Sequence, residues 1–178
     1  MRKIPNLLTL FGIVGLTAFG LQAQTFINMD VGPVSIDGDT TVDGGTITVT
    51  GDGADIWDTC DQFQFYFTET SDDFDAIVRV ESLNGTHQWA KAELMVRLAD
   101  EFFGEPDCGD PFYAMMATRA DGNGQNQIAP QWRASRGAGA AWDEAGTAVR
   151  PVPYPNVWLR VAKSGSILIG LRSEDGEN

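Results

Sequence analysis

Apolar and polar side chains alternate along much of the chain with a period of two residues. In residues 89–98, alanine, leucine and valine take one side, and the other side carries Lys91, Glu93, Met95 and Arg97. This period is that of a β-strand, because a helix of 3.6 residues per turn would scatter the same positions. The run is also the best helix candidate in the chain, since its residue types are good helix formers. The clean sorting favours a strand.

Similar runs predict further strands, separated by short segments rich in Gly and Asp. Ser164 and Gly165 mark a tight hairpin between the last two. The predicted strands cover residues 46–50, 62–67, 74–83, 89–98, 112–118, 128–135, 156–162 and 166–172. Many short strands without a convincing helix indicate one all-β domain, built as an antiparallel β-sandwich.

The N-terminus has the layout of a secretory signal peptide. Arg2 and Lys3 precede an apolar run over residues 7–19, and the small residue Ala23 follows shortly after. We expect cleavage after Ala23. The alternative, a membrane anchor, is disfavoured because the run is shorter than the roughly 20 residues that a spanning helix needs. The expected location is therefore secreted, periplasmic or cell-surface, with no membrane contact after cleavage.

This division gives three segments. Residues 1–23 are the signal peptide, residues 24–50 are Asp/Gly-rich N-terminal strands of the sandwich, and residues 51–178 are the main sandwich module. The formal net charge is −13, from 25 acidic and 12 basic side chains. No Lys or Arg occurs between Gln24 and Val78, so the acidity belongs mainly to the first third. A chain this acidic is repelled by phosphate backbones, which argues against nucleic acid as a partner.

Four segments together resemble a known family. They are residues 51–67 (GDGADIWDTCDQFQFYF), 73–80 (DFDAIVRV), 89–97 (WAKAELMVR) and 155–174 (PNVWLRVAKSGSILIGLRSE). Their order and spacing resemble the concanavalin A-like family named after a regulator of enolase, whose members are modules of secreted bacterial proteins. The resemblance implies a jelly-roll sandwich of two antiparallel sheets and implies no catalytic residue. Family members continue into further strands where this chain stops at Asn178, so we expect a C-terminally truncated module, with further domains of a larger exported protein as its partners.

A polar sheet face is the main candidate binding site. Period-two counting places eight side chains opposite the predicted core: Arg79, Lys91, Glu93, Arg97, Gln131, Arg133, Trp158 and Arg160. Aromatic rings stack on sugar rings, and the polar groups can bond to hydroxyls. We therefore expect a non-catalytic module that binds extracellular carbohydrate. The alternative is a structural or adhesion module without a small ligand, in which these charges form ion pairs across strands, such as Arg79 or Lys91 with Glu93.

The tryptophans outside that set divide into two groups. Trp57 precedes a Phe-rich strand and Trp89 precedes the alternating run, so both are expected to cap the core. Trp132 and Trp142 lie near Gly/Ala-rich loops, where a ligand-facing role is open.

Short Asp-Gly runs raise the possibility of a calcium site. Asp37, Asp39 and Asp43 supply oxygen ligands at alternating positions, and Asp121 with Asn123 forms a second set. Neither set completes a twelve-residue calcium loop, and such runs are more often simple turns. We therefore expect no cofactor and keep calcium as the one alternative.

The two cysteines, Cys60 and Cys108, are expected to form a disulfide in an oxidising compartment. The bond would close a loop of 48 residues, a stabilisation of roughly 4 kcal/mol in the chain-entropy model. Catalytic signals are weak. No Glu-x-Asp-x-x-Glu motif supplies a glycosidase carboxylate pair, and His87 is the single histidine. The expected class is not an enzyme.

Overall fold

The computed structural model describes residues 6–11, 25–98, 109–119, 125–143, 149, 151–155 and 157–177. This part of the chain is all β and contains no helix. Its strands are β1 (Asn6–Phe11), β2 (Ile27–Val31), β3 (Asp39–Asp43), β4 (Thr46–Gly51), β5 (Ile56–Trp57), β6 (Cys60–Asp61), β7 (Phe63–Phe67), β8 (Phe74–Leu83), β9 (Lys91–Arg97), β10 (Phe112–Thr118), β11 (Ile128–Arg133), β12 (Ala141–Trp142), β13 (Trp158–Ser164) and β14 (Ile167–Ser173).

Two antiparallel sheets form a sandwich, which confirms the expected fold class. The first sheet has the order β14-β13-β8-β1-β4-β3, and the second has the order β12-β11-β10-β9. Two small two-stranded sheets, β2–β7 and β5–β6, accompany them. The jelly-roll connectivity stays a prediction.

The alternating pattern positions the side chains as expected. In β8, Val78 and Val80 are buried in the core, while Arg79 between them lies on the opposite face. Residues 89–98 contain strand β9 rather than a helix, and Ala92 joins the same core. The remaining buried core residues are Leu83, Met115, Ala117, Ile128, Val152, Val157, Leu159 and Val161.

The second sheet is covered on both faces. Met115 of β10 packs into the sandwich core, whereas its neighbours Phe112 and Ala114 form a second cluster with Ile56 of β5. This double cover explains why β10 is almost continuously buried and apolar. Part of the outer face of the four-stranded sheet therefore meets protein rather than open solvent.

The segment assigned to the signal peptide contributes a strand. Residues 1–23 were expected to lie outside the fold, but β1 (Asn6–Phe11) lies in the first sheet, antiparallel to β4 on one side and to β8 on the other. Among the described strands, β4 and β8 do not pair with each other, and β1 lies between them.

Strand β14 forms one edge of the first sheet. Its side chains Ile167, Ile169 and Leu171 are 60%, 48% and 47% exposed. An apolar edge of this kind is a surface to which another strand can add. In the part of the chain that the structure describes, no helix is long and apolar enough to cross a membrane.

Candidate functional site

A short hairpin covers part of the outer face of the second sheet. We call residues 55–61, which include β5 and β6, the covering hairpin. Lys91 Nζ donates to the Asp55 carboxylate at 2.6 Å and to the carbonyl of Ile56 at 3.0 Å. The side-chain amide of Gln131 donates to the same carbonyl. The hairpin is therefore anchored to the sheet by side chains from β9 and β11.

A buried ionic cluster holds the other end of the covering hairpin. The Asp61 carboxylate accepts two bonds from Arg133, at 2.6 and 2.7 Å, and one from Arg97 at 2.7 Å. The three side chains are 1%, 0% and 2% exposed. Asp110 lies 3.7 Å from Arg97 and supplies a second negative charge, so the two guanidinium groups face two carboxylates.

Gly109 leaves the space that this cluster needs. A Cβ atom at that position would lie 1.8 Å from the Nη1 of Arg133, so any larger residue would displace the guanidinium. The Arg133 Nε also donates to the carbonyl of Ala138 at 2.9 Å. Arg133 therefore joins three chain segments through one buried side chain, which marks it as a structural centre of the outer face.

A pocket lies beside the covering hairpin. Its volume is about 310 Å³ and its lining residues are Asp55, Trp57, Trp89, Lys91, Met116 and Trp142. The rings of Trp89 and Trp142 meet edge to face, with centroids 6.1 Å apart and planes at 73°. Lys91 Nζ lies 5.2 Å from the centroid of Trp57, a cation–π distance. All three tryptophans are half-buried, and all three line this pocket.

Glu93 lies on the strand that contributes to this pocket. It follows Lys91 by two residues on β9 and pairs across strands with Met116, and both of these neighbours line the pocket. Glu93 as a residue is partly exposed, but both carboxylate oxygens are shielded from solvent and lack a hydrogen-bond partner among the described residues. Burial raises the pKa of Glu93 to about 8, although the positive charge of Lys91 opposes the shift. Glu93 therefore keeps its proton at neutral pH.

The structure does not bring the eight predicted binding residues to one face. Five of them lie on the outer face of the second sheet: Lys91, Glu93, Arg97, Gln131 and Arg133. The other three lie on the outer face of the first sheet: Arg79, Trp158 and Arg160. The period of two identifies a face within one strand, but it does not say to which sheet the strand belongs.

The side chains of the second sheet have different roles. Three of them have buried side chains that donate hydrogen bonds to the covering hairpin: Arg97, Gln131 and Arg133. Lys91 lines the pocket, and Glu93 lies beside it with no ion-pair partner among the described residues. The suggested pairs of Arg79 or Lys91 with Glu93 therefore do not form.

On the first sheet, the predicted residues form local contacts. Arg79 lies 3.1 Å from Glu81 and bonds the carbonyl of Pro155 at 2.8 Å. Arg160 forms an exposed ion pair with Asp75. The Arg79 guanidinium lies 5.8 Å from the Trp158 ring, and Gly176 packs closely against that ring. Arg79 and Arg160 therefore each contact a carboxylate of the first sheet.

The positions of Trp57 and Trp89 differ from the sequence prediction. Trp57 and Trp89 were expected to cap the core, but they line the pocket together with Trp142. Trp132 pairs with Tyr113 across strands. Sequence reasoning missed the pocket because β5 and β12 are two-residue strands, too short to show an alternating pattern.

The calcium candidates do not converge in the structure. Asp37, Asp39 and Asp43 belong to an exposed segment, and the Asp39 carboxylate accepts a bond from the backbone of Thr40 at 2.8 Å. Among the described residues, no three acidic, His or Cys side chains come together as a metal site. Asp121 and Asn123 lie outside the described residues, so calcium binding stays a prediction.

The predicted disulfide includes one residue outside the described part of the chain, Cys108. Cys60 is exposed on β6. The residue after Cys108, Gly109, donates its N–H to the carbonyl of Thr59, the residue before Cys60, at 2.7 Å.

We expect the native, non-reduced protein to take up no maleimide at Cys60 or Cys108 after unfolding, and two maleimides after reduction. Intact-mass spectrometry measures the uptake. Reduction should lower the free energy of unfolding by roughly 4 kcal/mol. Two labelled cysteines without reduction would exclude the bond.

Comparisons of this chain with protein-family models, with curated proteins and with solved structures find no match. The pocket is therefore interpreted from its own geometry.

Proposed function

We propose that this protein is a secreted, non-catalytic module that binds extracellular carbohydrate in the pocket beside the covering hairpin. The observation that carries the proposal is the convergence of Trp57, Trp89 and Trp142 in one pocket with the Lys91–Asp55 ion pair. The sequence resemblance to a concanavalin A-like family is consistent with this class of ligand.

The chemistry of the lining suits a sugar. Indole rings stack on the apolar face of a pyranose ring and bury a large apolar area. Lys91 supplies ammonium donors and Asp55 supplies carboxylate acceptors for sugar hydroxyls. The volume of about 310 Å³ lies at the lower end of small-molecule sites. The ligand would therefore present about one or two rings to the pocket.

The second candidate is a structural or adhesion module without a small ligand. One observation favours it: Arg97, Gln131 and Arg133 are buried, and their donors hold the covering hairpin. Under this alternative the three tryptophans only shield the apolar floor of the outer face. The two candidates differ in whether the tryptophans contribute to binding, so a ligand measurement separates them.

Replacing Trp142 with alanine should weaken glycan binding about tenfold, because stacking of one aromatic ring contributes about 0.5–1.5 kcal/mol beyond its buried area. A glycan array identifies the ligand of the intact protein, and affinity electrophoresis with that glycan measures the variant.

Trp158→Ala is the matched control, because Trp158 is also a half-buried tryptophan but lies on the outer face of the other sheet. It should leave the affinity unchanged. Circular dichroism must show that both variants are folded. The proposal fails if no glycan binds, or if Trp142→Ala and Trp158→Ala weaken binding equally.

A further inference from the structure

In the part of the chain that the structure describes, the first sheet has two halves that only β1 connects. In the described residues, β14, β13 and β8 form one half, and β4 with β3 forms the other. The six residues of β1 (Asn6–Phe11) pair with Thr46–Gly51 of β4 along their whole length. On the other side, Leu8 to Phe11 pair with β8 between Arg79 and Leu83. The gap between β4 and β8 is therefore one strand wide.

This connecting strand belongs to residues 1–23, which the sequence predicts to be a signal peptide. Cleavage after Ala23 would separate β1 from the rest of the chain. The facing edges of β4 and β8 would then each present a row of unpaired N–H and C=O groups. Two such edges, one strand apart, form a template for an extended peptide.

We propose that the gap between β4 and β8 is a strand-acceptor site, which in the processed protein binds an uncharged, apolar extended segment supplied by another polypeptide. This site is independent of the carbohydrate pocket, because β4 and β8 belong to the first sheet and the pocket borders the second. The segment now in the gap shows the chemistry that the site accepts: its sequence, Asn-Leu-Leu-Thr-Leu-Phe, carries no charge.

The walls of the gap explain this preference. β4 consists of Thr, Ile, Val and Gly and has no charged side chain. The paired part of β8 contains Arg79 and Glu81, which lie 3.1 Å apart and form an ion pair with each other. A charged residue in the inserted strand would therefore find no free counterion on β4 or on this part of β8, and burying a charge without a partner costs free energy. An apolar strand gains backbone bonds on both sides without that cost.

The test uses the full chain with a specific protease sequence inserted after Ala23, produced without export so that residues 1–178 fold together. The chain is cleaved after folding and mixed with a fluorescent peptide of residues 6–11 flanked by lysines for solubility. We expect saturable binding with one peptide per protein, and restored amide-exchange protection in β4 and β8. A peptide with Thr9→Pro should bind at least about tenfold more weakly, because proline lacks the N–H and disrupts a strand paired on both sides.

A measurement on the uncleaved chain covers the case in which cleavage unfolds the protein. Thr9→Pro in the intact chain should increase amide exchange in β4 and β8, whereas Thr17→Pro, in the same leader but outside β1, should not. A dimer formed by exchange of residues 6–11 between two copies would also support the site, because the gap is then filled in trans. The proposal is overturned if the cleaved chain binds no peptide, if the proline peptide binds equally well, or if the two intact variants exchange alike.

Discussion

Replacing Asp61 with asparagine should lower the free energy of unfolding by about 3–5 kcal/mol, the effect expected when one partner of a buried ionic cluster is removed. The Asp61 carboxylate accepts three bonds from Arg133 and Arg97. Asparagine has nearly the same shape but no charge, and its amide group presents hydrogens to the guanidinium groups. Among the described residues, the carboxylate left near the two buried positive charges would be Asp110, which lies 3.7 Å from Arg97 and 3.8 Å from Arg136. Urea unfolding measures the loss.

The matched control for this variant is Asp75→Asn. Asp75 also forms an ion pair with an arginine, Arg160, but its side chain is 48% exposed. Exposed pairs contribute about 0–1 kcal/mol, so this variant should be nearly as stable as the native protein. Equal losses in Asp61→Asn and Asp75→Asn would show that burial does not set the strength of the cluster.

The second large effect is a dependence of stability on pH that originates in Glu93. The pKa of Glu93 is raised from 4.5 to about 8 in the folded protein. Between these two values the unfolded chain has released the proton and the folded chain still holds it. The folded state therefore loses stability as pH rises from about 4.5 to 8, by up to about 5 kcal/mol, and the loss levels off above that range.

Glu93→Gln should remove this dependence, because glutamine stays neutral at every pH. We expect the variant to melt at nearly the native temperature at pH 5 and at a clearly higher temperature at pH 9. Thermal unfolding monitored by circular dichroism at intervals between those values gives the comparison. Glu81→Gln is the control, since Glu81 lies near Arg79 on the first sheet. Parallel pH profiles for Glu93→Gln and the native protein would contradict the assignment to Glu93.

Much of the fold follows from alternation in the sequence. β8 and β10 have the predicted bounds, 74–83 and 112–118. Their length and regular hydrophobic pattern explain this agreement, because a long strand buried on at least one face must keep a period of two. The same reasoning placed Lys91, Glu93 and Arg97 on one side of β9, where the structure has them.

The candidate site was much less accessible to sequence reasoning. Its geometry depends on the covering hairpin, whose two-residue strands carry no periodic signal. The roles of Arg97 and Arg133 depend on Asp61, which lies 36 and 72 positions away in the chain. A polar residue opposite the core also has two possible neighbours, solvent or another layer of protein, and alternation does not distinguish them. β1 was missed for a different reason: an apolar N-terminal run has the composition of a leader whether or not it can also pair as a strand.

Because β10 is covered by protein on both faces, its residues should tolerate substitution less well than residues at the periphery of the pocket. Met115 belongs to the sandwich core, and the adjacent Met116 lines the pocket. A substitution at Met115 therefore disturbs packing in the core, and one at Met116 disturbs packing on the outer face. Trp57 and Trp142 lie instead on peripheral two-residue strands. For the proposed pocket, substitutions at these peripheral residues should therefore be tolerated better than substitutions at Met116, and the stability of a library of single variants measures that contrast.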